Sequence, residues 1–419
     1  MGTPLRTTDQ LRRSAVNEPQ STPEPSYSHL NPQYPRSWWT IGFSAEVPQG
    51  RAVPNKVLEK DVVLWRNAAG ELFCHSAICP HLGANLGYGG VVVEDALQCP
   101  FHGFEFGTTG QVVRRPPPGG DGPAQARCRL TRYRVEEHLG SIFLWNGKAD
   151  PDHGVPDVAG DMLAAHPGLR RDDLTVFHHG FYLPYPAKWF LENGPDAGHF
   201  SFVHGLGEWG EAETLEETDT MLRWRQQLHN VKPYLSWARL SEQYRDGELT
   251  NFLVNAGDVE LTTYGGGLQV LRLLERVDAD RGPAARFLSF FESGRAILCW
   301  VPTTADHHVF RFTFVMRRIP VPILGRAIEW LVARLLERRD WGGIMQDTAI
   351  MLHRQEPANP SYARADRCLV KFRKLWDSRI DDRSLWAGDN VHSNGLRGGI
   401  KWPDAPAHSS SRSLQEEQS

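Results

Sequence analysis

Cysteine is scarce. Six in 419 residues (Cys74, Cys79, Cys99, Cys128, Cys299 and Cys368) cannot staple a chain of this size, which excludes a disulfide scaffold and suits a reducing, cytoplasmic setting. Long apolar runs are missing too. Nowhere do about 18 apolar residues follow one another, so no transmembrane span is expected. Nor is there an excess of positive charge: 46 Lys+Arg stand against 50 Asp+Glu, with the arginines scattered, which excludes a nucleic-acid partner held by a basic field. The opening residues MGTPLRTTDQLRRS lack the apolar stretch of a secretory signal. Arg6 also stands where an N-myristoylation pattern needs Ser or Thr.

The composition, 40% hydrophobic and 23% charged, is that of a folded chain with room for two or three domains. Residues 1–36 and 403–419 are polar ends that bury too little to offset chain entropy, and are expected to be disordered. Residues 37–150 read as an all-β module. VVLWRN (62–67), a turn at 68–70 and ELFCHSAI (71–78) form a hairpin pattern, continued by VVVEDALQC (91–99), RYRVEEH (132–138) and SIFLWNG (141–147). RRPPPGGDGP (114–123) breaks it as a surface loop. After a connection at 150–158, a second domain over 151–402 mixes helices with strands such as FRFTFVM (310–316). In 323–336, Ile323, Leu324, Ala327, Ile328, Leu331, Val332, Leu335 and Leu336 recur at helical spacing. This predicts a helix with its apolar face on the core and Glu329 off that face. Arg338-Arg339 beside it also permits a membrane-surface helix. A further helix is expected over 344–356, ended by Pro357.

Two constellations carry chemistry. In the first, Cys79-Pro80-His81 and Cys99-Pro100-Phe101-His102 each offer one thiolate and one imidazole from a loop. A zinc finger of the common kind pairs like with like at its two ends. Two mixed loops suit a [2Fe–2S] cluster with two thiolates on one iron and two imidazoles on the other. A tetrahedral zinc site could use the same four residues. The glycines at 83, 87, 89, 90 and 103 and the hairpin context favour the cluster. Cys74 and His75 lack that spacing and read as structural, as do Cys128, Cys299 and Cys368.

In the second, WFLENGPDAGHFSFVHG (189–205) holds Asn193, Asp196, His199 and His204. Asp196 and His199 share a helical face, but residues five apart diverge by about 140° on an ideal helix. The two imidazoles converge only if the helix is distorted, which Gly194, Pro195, Gly198 and Gly205 allow.

CPHLGANL and CPFHG closely resemble the Rieske domain family, and Asn-x2-Asp-x2-His-x4-His about ninety residues later resembles the iron motif of Rieske non-heme iron oxygenases. The resemblance implies an α+β protein: an all-β Rieske [2Fe–2S] domain, then a helix-grip (START-like) catalytic domain with an antiparallel sheet. It implies Cys79, His81, Cys99 and His102 as cluster ligands, and His199, His204 and Asp347 as ligands of a mononuclear Fe(II). Glu356 and Asp340 are rival carboxylates outside the family's position. Asp196 would bridge His102 of a neighbouring chain to His199, with Asn193 near the iron, in a head-to-tail homotrimer. O2 would be co-substrate. With no dinucleotide fingerprint in the chain, NAD(P)H would be used by a separate ferredoxin or ferredoxin reductase.

The loop-linking cysteines of cytochrome bc-type relatives would fall at Ala84 and Phe101, and their Ser and Tyr cluster donors at Phe104 and Phe106. A low-potential cluster is therefore expected. The motifs, with QDxxI and ADRCLVKFRKLW (365–376), resemble the sterol-desaturase and ketosteroid-hydroxylase branch. That implies hydroxylation or desaturation of a hydrophobic, polycyclic, sterol-like molecule. Oxidative cyclases and N-oxygenases of bacterial natural-product (prodiginine-like) pathways share much of the pattern. Thr348 and LHRQEP (352–357) depart from the sterol enzymes. Trp189, Phe190, Phe200, Phe202, Phe290, Phe291 and Trp300 suit either a greasy pocket or a core. A Rieske electron carrier without catalysis is the non-enzyme alternative, disfavoured by length and by the second motif.

Overall fold

Short alternating segments separated by tight turns build three small sheets in the first part of the chain. They come from β1 (Trp38–Phe43), β2 (Ala52–Val57), β3 (Lys60–Arg66), β4 (Leu72–Ser76), β5 (Val91–Val93), β6 (Ala96–Gln98), β7 (Glu105–Gly107), β8 (Val112–Arg114), β9 (Arg132–Tyr133), β10 (Val135–His138) and β11 (Ser141–Trp145). The sheets run β1-β11-β10, β2-β3-β4-β9 and β5-β6-β7-β8. This is a computed structural model, and it describes residues 34–116, 128–204, 212–228, 257–273, 294–319, 321, 324–330 and 342–385. All of them fall within the unit Gln33–Ser419.

The expected hairpin at 62–78 is β3–β4, closed where Asn67 Oδ1 accepts from Glu71 N at 2.8 Å. The stretch 91–99 is not one strand but the hairpin β5–β6, turned at Glu94, whose φ of 52° lies in the left-handed region. Cys74 and His75 are both buried because β4 is covered on both faces, and Trp65 Nε1 donates to His75 Nδ1 at 3.1 Å. The segment 1–36 was expected to be disordered throughout, yet its last three residues are tied down. Asn146 Nδ2 donates to the carbonyls of Tyr34 and Pro35, and Arg36 pairs with Asp152 and Asp381. Residues 1–33 and 403–419 lie outside the described residues.

Among the described residues, the second part forms one seven-stranded antiparallel sheet. Its strands are β12 (Leu174–Leu183), β13 (Glu213–Glu217), β14 (Met221–Leu228), β15 (Gly257–Tyr264), β16 (Leu268–Leu273), β17 (Arg295–Thr304) and β18 (His307–Arg317), in the order β12-β18-β17-β16-β15-β14-β13. The described helices are α1 (Val158–Ala165), α2 (Ala187–Leu191), α3 (Ala197–Phe202), α4 (Gly342–Met351) and α5 (Arg367–Ser378), with a helical stretch at 324–330. Both faces of the sheet are covered. On one, Thr313 meets Ser141 at 2.6 Å and Cys299 Sγ accepts from Thr40 N at 3.3 Å, so β1 and β11 roof the sheet. On the other, Trp300 and Phe310 stack beside Phe190 of α2. At the β15–β16 turn, Gly265 has φ 59° and a Cβ there would stand 2.5 Å from Arg36 O. At Gly267 a Cβ would press on the Trp39 ring at 2.6 Å, so glycine is what lets the 36–39 segment pass. Cys368, Phe372, Leu375 and Trp376 form the buried stripe of α5. The expected α+β architecture with an antiparallel catalytic sheet is borne out.

A further expectation is overturned. In the helical stretch 324–330, Leu324 and Trp330 are exposed, as is Ala327, while Glu329 is buried. Glu329 Oε1 accepts from Ile319 N at 2.8 Å, so a backbone donor draws the carboxylate inward and turns the apolar positions out. Ile323 and residues 331–341 lie outside the described residues.

Burial also gives the fold an acid limit. His75, His178 and His308 are pushed down to about 4 by burial. Between that value and the ordinary ~6.5 the unfolded chain holds more protons than the folded one, so stability falls as pH drops through this window. We expect a loss of about 1–2 kcal/mol per histidine by pH 5, read as a lower urea midpoint at pH 5 than at pH 7.5. A midpoint that does not move would contradict the burial of these rings.

Candidate metal centres

The two Cys/His loops are built alike. In the first, Cys79 N donates to Ala84 O at 2.7 Å and Gly83 N to Cys79 O at 2.9 Å. In the second, Cys99 N donates to Phe104 O at 2.8 Å and Gly103 N to Cys99 O at 3.1 Å. Gly83 and Gly103 take φ of 79° and 69°, which closes each loop without strain. The loops thereby face each other. Both cysteines are buried, His81 is exposed and His102 half-buried, and the two imidazoles lie 4.7 Å apart by centroid. Burial, with the neighbouring Cys99, pushes the Cys79 thiol up to about 11. Such a thiol is a thiolate only beside a cation. His102 Nδ1 is buried without a hydrogen-bond partner among the described residues. Two inward sulfurs, two outward imidazoles and an orphaned ring nitrogen fit a cluster held at one end by each ligand type.

The second centre grows from the sheet. Three buried side chains on its inner face each donate to a carbonyl of the 191–197 segment: Gln269 Nε2 to Leu191 O at 2.9 Å, Trp224 Nε1 to Gly194 O at 3.2 Å, and Gln226 Nε2 to Ala197 O at 3.2 Å. Carbonyls three residues apart are thus pinned in turn, and the segment breaks into α2 and α3 across Gly194-Pro195. That break is the distortion the five-residue histidine spacing demands. Asp196 caps α3, its Oδ1 accepting from Gly198 N at 3.0 Å and His199 N at 3.3 Å. His199, His204 and Asp347 come together, with one ligand atom from each all within 4.8 Å of one another. Asp347 arrives on α4, which begins at Gly342 and ends at Met351, earlier than the expected 356.

The electrostatics favour a cation. Burial alone would lower the pKa of His204, but the charge of Asp347, 3.2 Å from Nε2, and the ring's hydrogen bonds to Asp347 and Gln346 outweigh it and hold the pKa above its ordinary value. His199 is lowered, by burial first, and then by His204 against the opposing pull of Asp347. Two imidazoles and one carboxylate within reach of one another would suit a divalent ion that keeps further positions for other ligands. Glu356, the described rival carboxylate, is engaged elsewhere. It accepts from Trp189 Nε1 at 3.0 Å and pairs with Arg373 at 3.3 Å. Asp340 lies outside the described residues.

Other placements depart from expectation. His199 Nδ1 donates to the backbone carbonyl of Asp196 at 2.6 Å, whereas the Asp196 carboxylate stands 4.0 Å away. Asn193 is buried, with Nδ2 unpaired among the described residues. Trp189, Phe190 and Trp300 are core, Phe202 is exposed, and Phe290 and Phe291 lie outside the described residues. Thr348 has a structural reason: its hydroxyl donates to Ile344 O at 2.7 Å and meets Tyr185 Oη at 3.0 Å. Trp224, Gln226 and Gln269 were not singled out in the sequence, and Gln346 entered only as the first residue of QDxxI. The available signal was amides interrupting apolar positions of strands, and a glutamine directly before Asp347.

Among the described residues no helix is long and apolar enough to cross a membrane. Residues 37–133 match the Rieske [2Fe–2S] domain family. The chain is 30% identical over 218 residues to a cholesterol 7-desaturase of Drosophila melanogaster, covering 49% of this chain and 47% of that one. It is 25% identical over 371 residues to that of Hemicentrotus pulcherrimus, covering 85% and 71%. It spans about half the length of the first curated relatives that it matches. The crystal structure of dicamba monooxygenase bound to dicamba is similar in fold, with a TM-score of 0.58 at 17% identity, over 83% of this chain and 98% of that one. A segment that matches the Rieske [2Fe–2S] domain family, followed by a seven-stranded antiparallel sheet, gives this chain the fold of that structure.

Proposed function

We propose that this chain is the oxygenase component of a Rieske-type monooxygenase or desaturase that acts on a hydrophobic, polycyclic, sterol-like substrate. The observation that carries the reading is the convergence of His199, His204 and Asp347 within 4.8 Å, in a chain that also bears two Cys/His loops. Cys79, His81, Cys99 and His102 would hold the [2Fe–2S] cluster, and the triad an Fe(II). Bound there, the cluster stores an electron and the ferrous ion activates O2. The chain's own residues do the rest. Cys79 and Cys99 are buried while His81 is exposed and His102 half-buried, which supports an electron path through the imidazole edge. Leu82 and Phe101 beside that edge are 64% and 60% exposed, and Phe202, on the helix that carries His199, is 51% exposed. These apolar patches support docking of one copy's cluster face on another's iron face, in a homotrimer. Electrons would come from NAD(P)H through a separate ferredoxin or ferredoxin reductase. The sterol-like substrate rests on the desaturase relatives.

Metal analysis with a substrate screen tests this. About three irons and two acid-labile sulfides per chain are expected for an oxygenase, with O2 uptake that depends on a sterol. Two irons would leave an electron carrier. Uptake driven by aromatic natural products and not by sterols would replace the substrate class. A second expected result concerns the cluster. Phe106 is fully buried and Phe104 lies 4.7 Å from His81 by ring centroid, so neither of these positions donates an O–H to a cluster sulfur. The potential should fall toward the lower end of the range of about −150 to +300 mV. An EPR-monitored titration near the upper end would contradict this.

A further inference from the structure

We propose that Gln346 is the positioning residue that fixes His204 for its metal, by accepting the proton of Nδ1 and leaving Nε2 bare. The inference rests on the reading above that His199, His204 and Asp347 hold iron. An imidazole that binds a metal through Nε2 must keep its proton on Nδ1, and that N–H needs an acceptor. His204 is only 5% exposed, so bulk water is not that acceptor. Gln346 Oε1 lies 2.7 Å from Nδ1, and Asp347 Oδ1 lies 3.2 Å from Nε2. Successive residues of a helix point about 100° apart, so two neighbours on α4 embrace one ring from two sides. One supplies a ligand oxygen and the other sets the tautomer.

The two histidines meet the same need differently. His199 gives its Nδ1 proton to the backbone carbonyl of Asp196, an acceptor that no side-chain change removes. His204 depends on a side chain, and so is the ring whose orientation can be lost by substitution. Thr348, bonded to Ile344 O and Tyr185, holds the same turn of α4 in place. Gln346 and Asp347, the first two positions of QDxxI, are therefore both engaged with His204, and Thr348 anchors the turn that carries them.

The test is anaerobic Fe(II) titration of the full chain, with the absorption of the Rieske cluster as the internal measure of folding. Gln346→Met keeps length and helix propensity but loses the amide oxygen. It should weaken Fe(II) binding about 10–100-fold with the cluster intact. Gln346→Glu keeps an acceptor and should stay within about threefold of the parent, since the N–H still has its partner. Parental Fe(II) affinity in the Met variant overturns the proposal, as does equal loss in the Glu variant. Should the Met variant lose its cluster, Gln346→Asn, which withdraws the amide by one methylene, takes its place with the same expectation. A parent chain that binds no third iron removes the underlying reading, and this inference with it.

Discussion

Asp347→Ala should abolish turnover and strip one iron per chain while leaving the cluster's EPR and absorption unchanged. The triad is nearly dry: His204 and Asp347 are each 5% exposed. A divalent cation there has lost most of its water, and Asp347 is the only anion among its three expected ligands. Two neutral imidazoles cannot offset that desolvation by themselves. Among the described residues, the rival carboxylate Glu356 is not free to take its place, because it is held by Trp189 and Arg373. Turnover should fall on the order of 10³-fold or more, equivalent to about 4 kcal/mol in the barrier. Asp347→Asn keeps an oxygen but not the charge, and should fall between the two. Iron content that stays at the parental value in the Ala variant would remove Asp347 from the site. Loss of both metals would instead indicate a fold that depends on this helix.

Much of this was legible in the sequence, because the chemistry is local. Cys79, His81, Cys99 and His102 sit on two short loops whose glycines and prolines announce the turns. The histidine pair sits on one segment whose glycines announce the kink. What was not legible is long-range. Trp224, Gln226 and Gln269 come from strands far along the chain, and only the sheet register brings them to the carbonyls of 191–197. Gln346 stood out in QDxxI, but its role did not, because only the fold lays His204 against it. The exposed face of 324–330 was missed for the same reason. Periodicity reports which residues share a face, but not that a backbone N–H at Ile319 would draw Glu329 to the buried side. Asp347 occupied an intermediate position: the family's spacing named it, while the convergence with His199 and His204 belongs to the fold.

Asp196→Asn should keep both metals and lose most turnover. The carboxylate caps a helix, and the bridge proposed for it is a separable role. Oδ1 caps α3 through Gly198 N and His199 N, and asparagine caps about as well as aspartate. The His199 ring is oriented by the backbone carbonyl of residue 196, which the substitution leaves alone. The iron site should therefore survive. What disappears is the negative charge on a side chain that is 33% exposed, unlike the buried Asp347. That partial exposure is what a bridge to His102 of a neighbouring copy requires. An ionised carboxylate accepts an imidazole N–H about twice as strongly as a neutral amide does, and the amide can also turn its NH2 toward the ring. With the proposed bridge weakened, electron delivery slows before any step at the iron does. We expect turnover to fall about 10²-fold or more, which is roughly 3 kcal/mol. Reoxidation of the pre-reduced cluster, followed in a single turnover with substrate and O2, should slow in proportion. Parental turnover in the variant would confine Asp196 to capping. Loss of the third iron would make it a ligand, and reoxidation at the parental rate with turnover still lost would move the defect from electron transfer to substrate.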